Sequence, residues 1–172
     1  MMNPQSEKII KALNLKAHPE GGYFSEVYRS DEKSEGLPDR YTGHHVQYTS
    51  IYFLLNENDF SAFHMLKSDE IWHFYEGTAL NIHVIEEDGS LKTVTLGKNT
   101  EAGEVYQYLV KRGLYFAAEV RDKKSFALAG CTVAPGFEYG DFEMPSGNEL
   151  IKKYPQHEDI INRLSRHNKN VK

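Results

Sequence analysis

Between residues 23 and 143 short apolar segments, rich in Val, Ile, Tyr, Phe and Thr, alternate with turn residues. That rhythm predicts strands at Tyr23–Arg29, Tyr48–Leu55, Ser61–Leu66, Ile71–Tyr75, Asn81–Glu86, Leu91–Leu96, Val105–Val110, Leu114–Val120 and Ser125–Val133. Asp88-Gly89 joins two of them as a hairpin. The ends read as helix. Asn3-Pro4 caps a segment with the stripe Ile9, Ile10 and Leu13, and Ser146 with Glu149 has capping-box spacing before Leu150 and Ile151. Pro155 stops that second helix, and Ile160, Ile161 and Leu164 mark a third. The loop Ser30–Gly43 is charged and broken by Gly36 and Pro38, which reads as mobile, and Asn168–Lys172 read as a fraying polar tail. Many short strands at near-regular spacing point to a sandwich or barrel. The expectation is one all-β domain over residues 1–172, with a barrel core at about 20–143 and helical flanks at 3–14 and 146–166.

Composition narrows the function classes. The 172 residues carry a formal net charge of −5, against a nucleic-acid binder that neutralises phosphates and against docking on anionic membrane. A single cysteine, Cys131, excludes an internal disulfide and any site built from several thiolates; on a predicted strand with no basic neighbour it reads as inert packing. The N-terminal MMNPQSEKII lacks the order of a signal peptide, and no apolar run approaches spanning length. A cytoplasmic protein with a small-molecule ligand is expected. Walker, G-x-G-x-x-G, H-E-x-x-H and G-x-S-x-G patterns are missing.

The stretch from Ser61 to Gly77 is where chemistry concentrates. The period of two puts His64 in an apolar row with Phe60, Ala62 and Leu66, and puts Glu70 on the face of Trp72 and Phe74. A turn around Lys67–Asp69 would lay the two strands side by side, with both groups opening on one cavity. A buried imidazole and carboxylate must pair, bind a metal or meet polar ligand groups. The plainer alternative is a hydrogen-bonded core histidine and a Glu70 exposed at a strand end.

The spacing from His64 to Glu70 to Gly77 resembles the first cupin motif, G-x5-H-x-H-x3-E-x6-G, with Asn58 at the opening glycine and Leu66 at the second histidine. Residues Leu109 to Ala118 resemble the second motif, with Gly113 kept, Lys111 for the proline and Phe116 for the histidine ligand. His18-Pro-Glu-Gly-Gly-Tyr23, Ser50 to Leu55, Asp69 to Tyr75 and Ala134 to Glu138 resemble a cupin group catalogued as cupin family five, grouped with the RmlC-like cupins. The resemblance covers about residues 12 to 145 and implies a double-stranded β-helix, or jelly roll, and a homodimer.

A cupin metal site takes three histidines and a glutamate, and Leu66 and Phe116 stand at two of those positions. His64, Glu70 and His73 would form a two-histidine, one-carboxylate set for one divalent metal ion, although alternation points His73 away from Glu70. Without a metal, the resemblance to sugar-nucleotide epimerases implies His64 as a base backed by Glu70 or another acid, with a tyrosine as proton partner. Tyr23, Tyr52 and Tyr139 are candidates, and Glu20, Trp72 and Phe116 complete the expected substrate-binding set. Three readings stay open: an isomerase or epimerase on a carbohydrate or sugar-nucleotide-like substrate, a metal-dependent oxygenase-like enzyme, and a metabolite-binding module without turnover.

Overall fold

The computed structural model describes residues 3–166. Thirteen strands follow the first helix: β1 (Lys16–Ala17), β2 (Tyr23–Arg29), β3 (Lys33–Ser34), β4 (His45–Val46), β5 (Thr49–Asn56), β6 (Phe60–Leu66), β7 (Asp69–Gly77), β8 (Leu80–Ile85), β9 (Leu91–Leu96), β10 (Gln107–Val110), β11 (Tyr115–Val120), β12 (Phe126–Ala134) and β13 (Phe142–Glu143). The helices are α1 (Pro4–Ala12), α2 (Gly147–Lys153) and α3 (Glu158–Arg163). All nine expected strands are present, shifted by a residue or two at most ends. β1, β3, β4 and β13, two residues each, are additions, and the loop expected at 30–43 contains β3, paired to β4. The tail expected at Asn168–Lys172 lies outside the described residues.

Two antiparallel sheets face each other, in the orders β1-β2-β5-β12-β7-β10 and β13-β6-β11-β8-β9. Between them lies a core that includes Phe53, Trp72, Ile82, Val110 and Phe116. Strand β11 is buried along its whole length because one face meets that core and the other meets the C-terminal helices. Phe63, Ile85, Tyr115 and Ala117 form that outer face, packed by Leu150, Ile161 and Leu164. On the opposite side Ile9 and Ile10 of α1, with Leu13 at its C-cap, cover Leu54 and Leu128 of the larger sheet. The caps form as the sequence specifies: Asn3 accepts the Gln5 N–H at 2.9 Å, and Ser146 and Glu149 make a full capping box.

One expectation needs correction. β6 and β7 are not side by side: β6 pairs with β11 and β13, whereas β7 pairs with β10 and β12. Lys67 and Ser68 carry the chain from one sheet to the other instead of closing a hairpin. His64 and Glu70 therefore project from opposing walls, across an intersheet gap of about 10 Å.

Candidate functional site

A cavity of about 180 Å³ opens between the sheets at the end where β2, β5 and β6 converge. Phe24 of β2, Ile51 and Phe53 of β5, Glu70 of β7 and Cys131 and Val133 of β12 line one wall. His64 and Leu66 of β6 line the other, and Phe137, Tyr139 and Phe142 border the mouth. His18 and Glu20 enter from the segment before β2.

That segment is positioned by Gly21 and Gly22, at φ +117° and +71°. A Cβ on Gly22 would lie 2.6 Å from the Leu54 carbonyl oxygen, and one on Gly21 2.0 Å from that of Phe60. Positive φ and close approach together demand glycine. The bend turns the Glu20 side chain inward, leaving the residue 5% exposed. Gly22→Ala is expected to lower stability by at least about 1–3 kcal/mol through strain and clash. Urea denaturation measures this, and an unchanged midpoint would show that the bend relaxes freely.

Glu20 is the partner that His64 finds. Its Oε2 lies 3.3 Å from His64 Nε2 and 3.6 Å from His18 Nδ1, and its Oε1 accepts the Ser61 hydroxyl at 2.7 Å. The remaining His64 nitrogen, Nδ1, donates to the Ala62 carbonyl oxygen at 2.7 Å, so the neutral ring presents an Nε2 lone pair to Glu20. His18 Nδ1 accepts the Glu20 backbone N–H at 3.3 Å, so it too offers no proton to the carboxyl in its neutral form. Burial holds the His64 imidazole down at about pKa 4, the Ala62 bond offsetting part of this. Burial likewise raises the Glu20 carboxyl and lowers His18. The 3.3 Å contact between a lone pair and a carboxyl oxygen calls for one proton shared by Glu20 and His64, and burial disfavours charge on either partner.

Glu70 is held differently. Its Oε2 accepts the Trp72 indole N–H at 2.9 Å. Burial, with the nearby Glu20 charge, pushes its carboxyl up to about 8 against the opposing bonds from Trp72 and Cys131. At neutral pH Glu70 is a protonated acid in an apolar wall. The Cys131 thiol beside it is raised well above its ordinary value by burial. Cys131 is a wall residue of the cavity as well as a packing residue.

The other residues singled out by the sequence separate. Tyr139 stands at the mouth, 57% exposed. Trp72 and Phe116 lie behind the cavity wall, supporting Glu70 and, at a ring separation of 4.1 Å, His64. Tyr23 and Tyr52 do not line the cavity, because alternation sends Phe24, Ile51 and Phe53 inward and turns both tyrosines toward α1. His73 also points out of the barrel, its Nε2 3.3 Å from Thr132 Oγ1. His18 carries no role in the sequence reading. It meets Glu20 because the chain turns between them, the Gly21 N–H donating to the His18 carbonyl oxygen at 3.0 Å.

The cupin metal set does not fit these residues. Leu66 and Phe116 place hydrocarbon where two ligands would stand, His73 faces away, and among the described residues no three His, Cys, Asp or Glu side chains converge as a metal-binding group.

Comparisons with known proteins agree with this architecture. Residues 7–145 match the family described as Cupin superfamily (DUF985). Protein SO0799 from Shewanella oneidensis is 39% identical with a TM-score of 0.85, covering 98% of this chain and 100% of that one. A hypothetical protein from Leishmania major is 37% identical with a TM-score of 0.86, over 94% and 99% of the two chains. The uncharacterized protein YML079W of Saccharomyces cerevisiae is 28% identical over 159 residues, 85% of this chain and 78% of that one. Oxalate decarboxylase of Bacillus subtilis, a protein with Mn(II) centers, is 14% identical with a TM-score of 0.54, over 88% of this chain and 37% of that one. At that identity the likeness extends to the fold alone. With a jelly-roll barrel, its cavity between the sheets and a family match over most of its length, the chain belongs to the cupin superfamily.

Proposed function

We propose that the cavity binds a small carbohydrate-like carbonyl compound and moves a proton on the carbon next to the carbonyl, as an isomerase or epimerase does. The observation that carries this reading is the His64–Glu20 pair facing Glu70 across the cavity. The 3.3 Å contact between His64 Nε2 and Glu20 is looser than a good hydrogen bond. A substrate proton can therefore compete for Nε2, the positive charge that forms on the pair being balanced by the carboxylate that Glu70 leaves when it protonates the carbonyl oxygen. From the opposite wall, protonated Glu70 donates to the carbonyl oxygen as negative charge develops there. The cavity is smaller than the roughly 300–1,000 Å³ of ordinary ligand sites, which favours a ligand of monosaccharide size.

The formal net charge of −5 favours a small-molecule ligand over a nucleic-acid or anionic-membrane partner, and goes with the reading of a cytoplasmic protein. No helix among the described residues is long and apolar enough to cross a membrane. The outer face of the larger sheet exposes Ile71, Tyr75 and Leu109, which favours a homodimer through that face. The reading as a binding module without turnover is favoured by one observation, that both His64 nitrogens already have partners.

Exchange of substrate α-protons for deuterium, followed by NMR, tests the reaction across a panel of keto sugars. The rate is expected to fall as pH rises through about 8, because Glu70 then loses the proton it must donate. Glu70→Gln keeps a donor at that place and should remove this high-pH limb. Ligands that bind and never exchange would establish the binding module instead.

A further inference from the structure

Among the described residues, the cavity and its rim hold no unpaired cation. Arg29, at the mouth, is the sole lysine or arginine lining it. Its guanidinium is already taken by Glu26 at 3.0 Å, Glu138 at 2.9 Å and the Phe137 carbonyl oxygen at 3.2 Å. Two carboxylates on one guanidinium leave the rim with an excess negative charge. Arg166 approaches from behind the cavity, but its guanidinium is bound to Asp59 at 2.6 Å and to the Glu20 and Phe60 carbonyl oxygens.

The interior adds nothing positive. His18 and His64 are both neutral by burial, and the one proton between Glu20 and His64 leaves that pair with no net charge wherever it sits. Glu70 is neutral as an acid and negative as a carboxylate. No distribution of protons over the neutral pH range makes the site attractive to an anion.

We propose that the cavity selects uncharged ligands: a free keto or hydroxyketo sugar is the substrate class, and phosphorylated or nucleotide-linked forms of the same compound are turned away by Glu26 and Glu138. An entering phosphate would meet like charge at the mouth and would have to displace a carboxylate from Arg29 to find a partner. A neutral polyol meets no such barrier, and finds the Glu70 acid and the aromatic edges of Phe24 and Phe142 inside. This inference rests on the proton-transfer reading only for its choice of probes, because selection by charge is read from binding alone.

The test uses the full chain labelled on its histidine rings, titrated with dihydroxyacetone, D-fructose and their monophosphates. The His18 and His64 ring signals are expected to move with the neutral ketoses, and to need at least about tenfold more of the phosphates. In a Glu26→Gln/Glu138→Gln double variant Arg29 is released, and the phosphates should gain at least about tenfold. Phosphates that bind the unaltered protein as well as the neutral ketoses overturn the inference, as does a double variant with unchanged preference, or ring signals that no ketose moves. Deuterium exchange in the same samples judges the reaction separately. Neutral ketoses that bind without exchange leave charge selection standing and remove proton transfer; phosphates that exchange readily do the reverse.

Discussion

His64→Asn is expected to slow substrate α-proton exchange by about 10²–10⁴-fold, the usual worth of a positioned base. Asparagine is the informative replacement because its side-chain amide can keep the bond to the Ala62 carbonyl oxygen that Nδ1 makes at 2.7 Å. What disappears is Nε2, the atom 3.3 Å from Glu20 Oε2. Glu20 retains the Ser61 hydroxyl on its other oxygen, and burial favours its uncharged form. The fold should therefore lose only about 1–3 kcal/mol, which a urea titration would register alongside the exchange measurement. Unchanged exchange in a folded variant would remove His64 from the mechanism.

Trp72→Ala is expected to cost about 3–5 kcal/mol, the largest single loss of stability at the site. The indole is 1% exposed and meets Phe53 and Phe116 edge-on at ring separations of 5.4 and 6.3 Å. Its neighbours sit on strands hydrogen-bonded on both sides, which limits how far the hole can collapse. Trp72→Phe separates packing from polarity, since it keeps a ring and deletes the N–H that Glu70 Oε2 accepts. That bond favours the Glu70 carboxylate, so its loss should move the high-pH limb of activity above about 8. Denaturation midpoints and a pH profile read the two effects independently. A Trp72→Ala protein as stable as the parent would mean that the wall is not close-packed.

Much of this arrangement is legible along the chain because strand alternation is local. The period of two places Glu70, Trp72 and Phe74 on the inner face and Ile71, His73 and Tyr75 on the outer one, as found. Leu66 and Phe116 carry the misfit with a cupin metal set in the sequence itself, because neither side chain has an atom that can coordinate. The connection Lys67-Ser68 is different: a hairpin and a crossing between sheets can use the same short length, and only the pairing of β6 with β11 decides. The partnership of Glu20 with His64 spans 44 positions and depends on a bend at Gly21 and Gly22, so no local pattern carries it. The tyrosines were indistinguishable for a related reason. Tyr23 and Tyr52 have good strand context, yet one residue of register decides between cavity and surface.

The C-terminal helices have a consequence for what counts as the working unit. The family match ends at residue 145, but Leu150, Ile161 and Leu164 seal one side of the barrel and Arg163 clamps Glu119 on β11. Three residues after that clamp, Arg166 holds the Glu20 carbonyl at 3.3 Å and that of Phe60 at 2.8 Å, bracing from outside the bend that delivers Glu20. A fragment trimmed at the family boundary would bare an apolar sheet face and lose that brace. The last described residues thus act as a keystone for a side chain near the start of the chain, and alterations there reach the Glu20–His64 contact without touching the cavity.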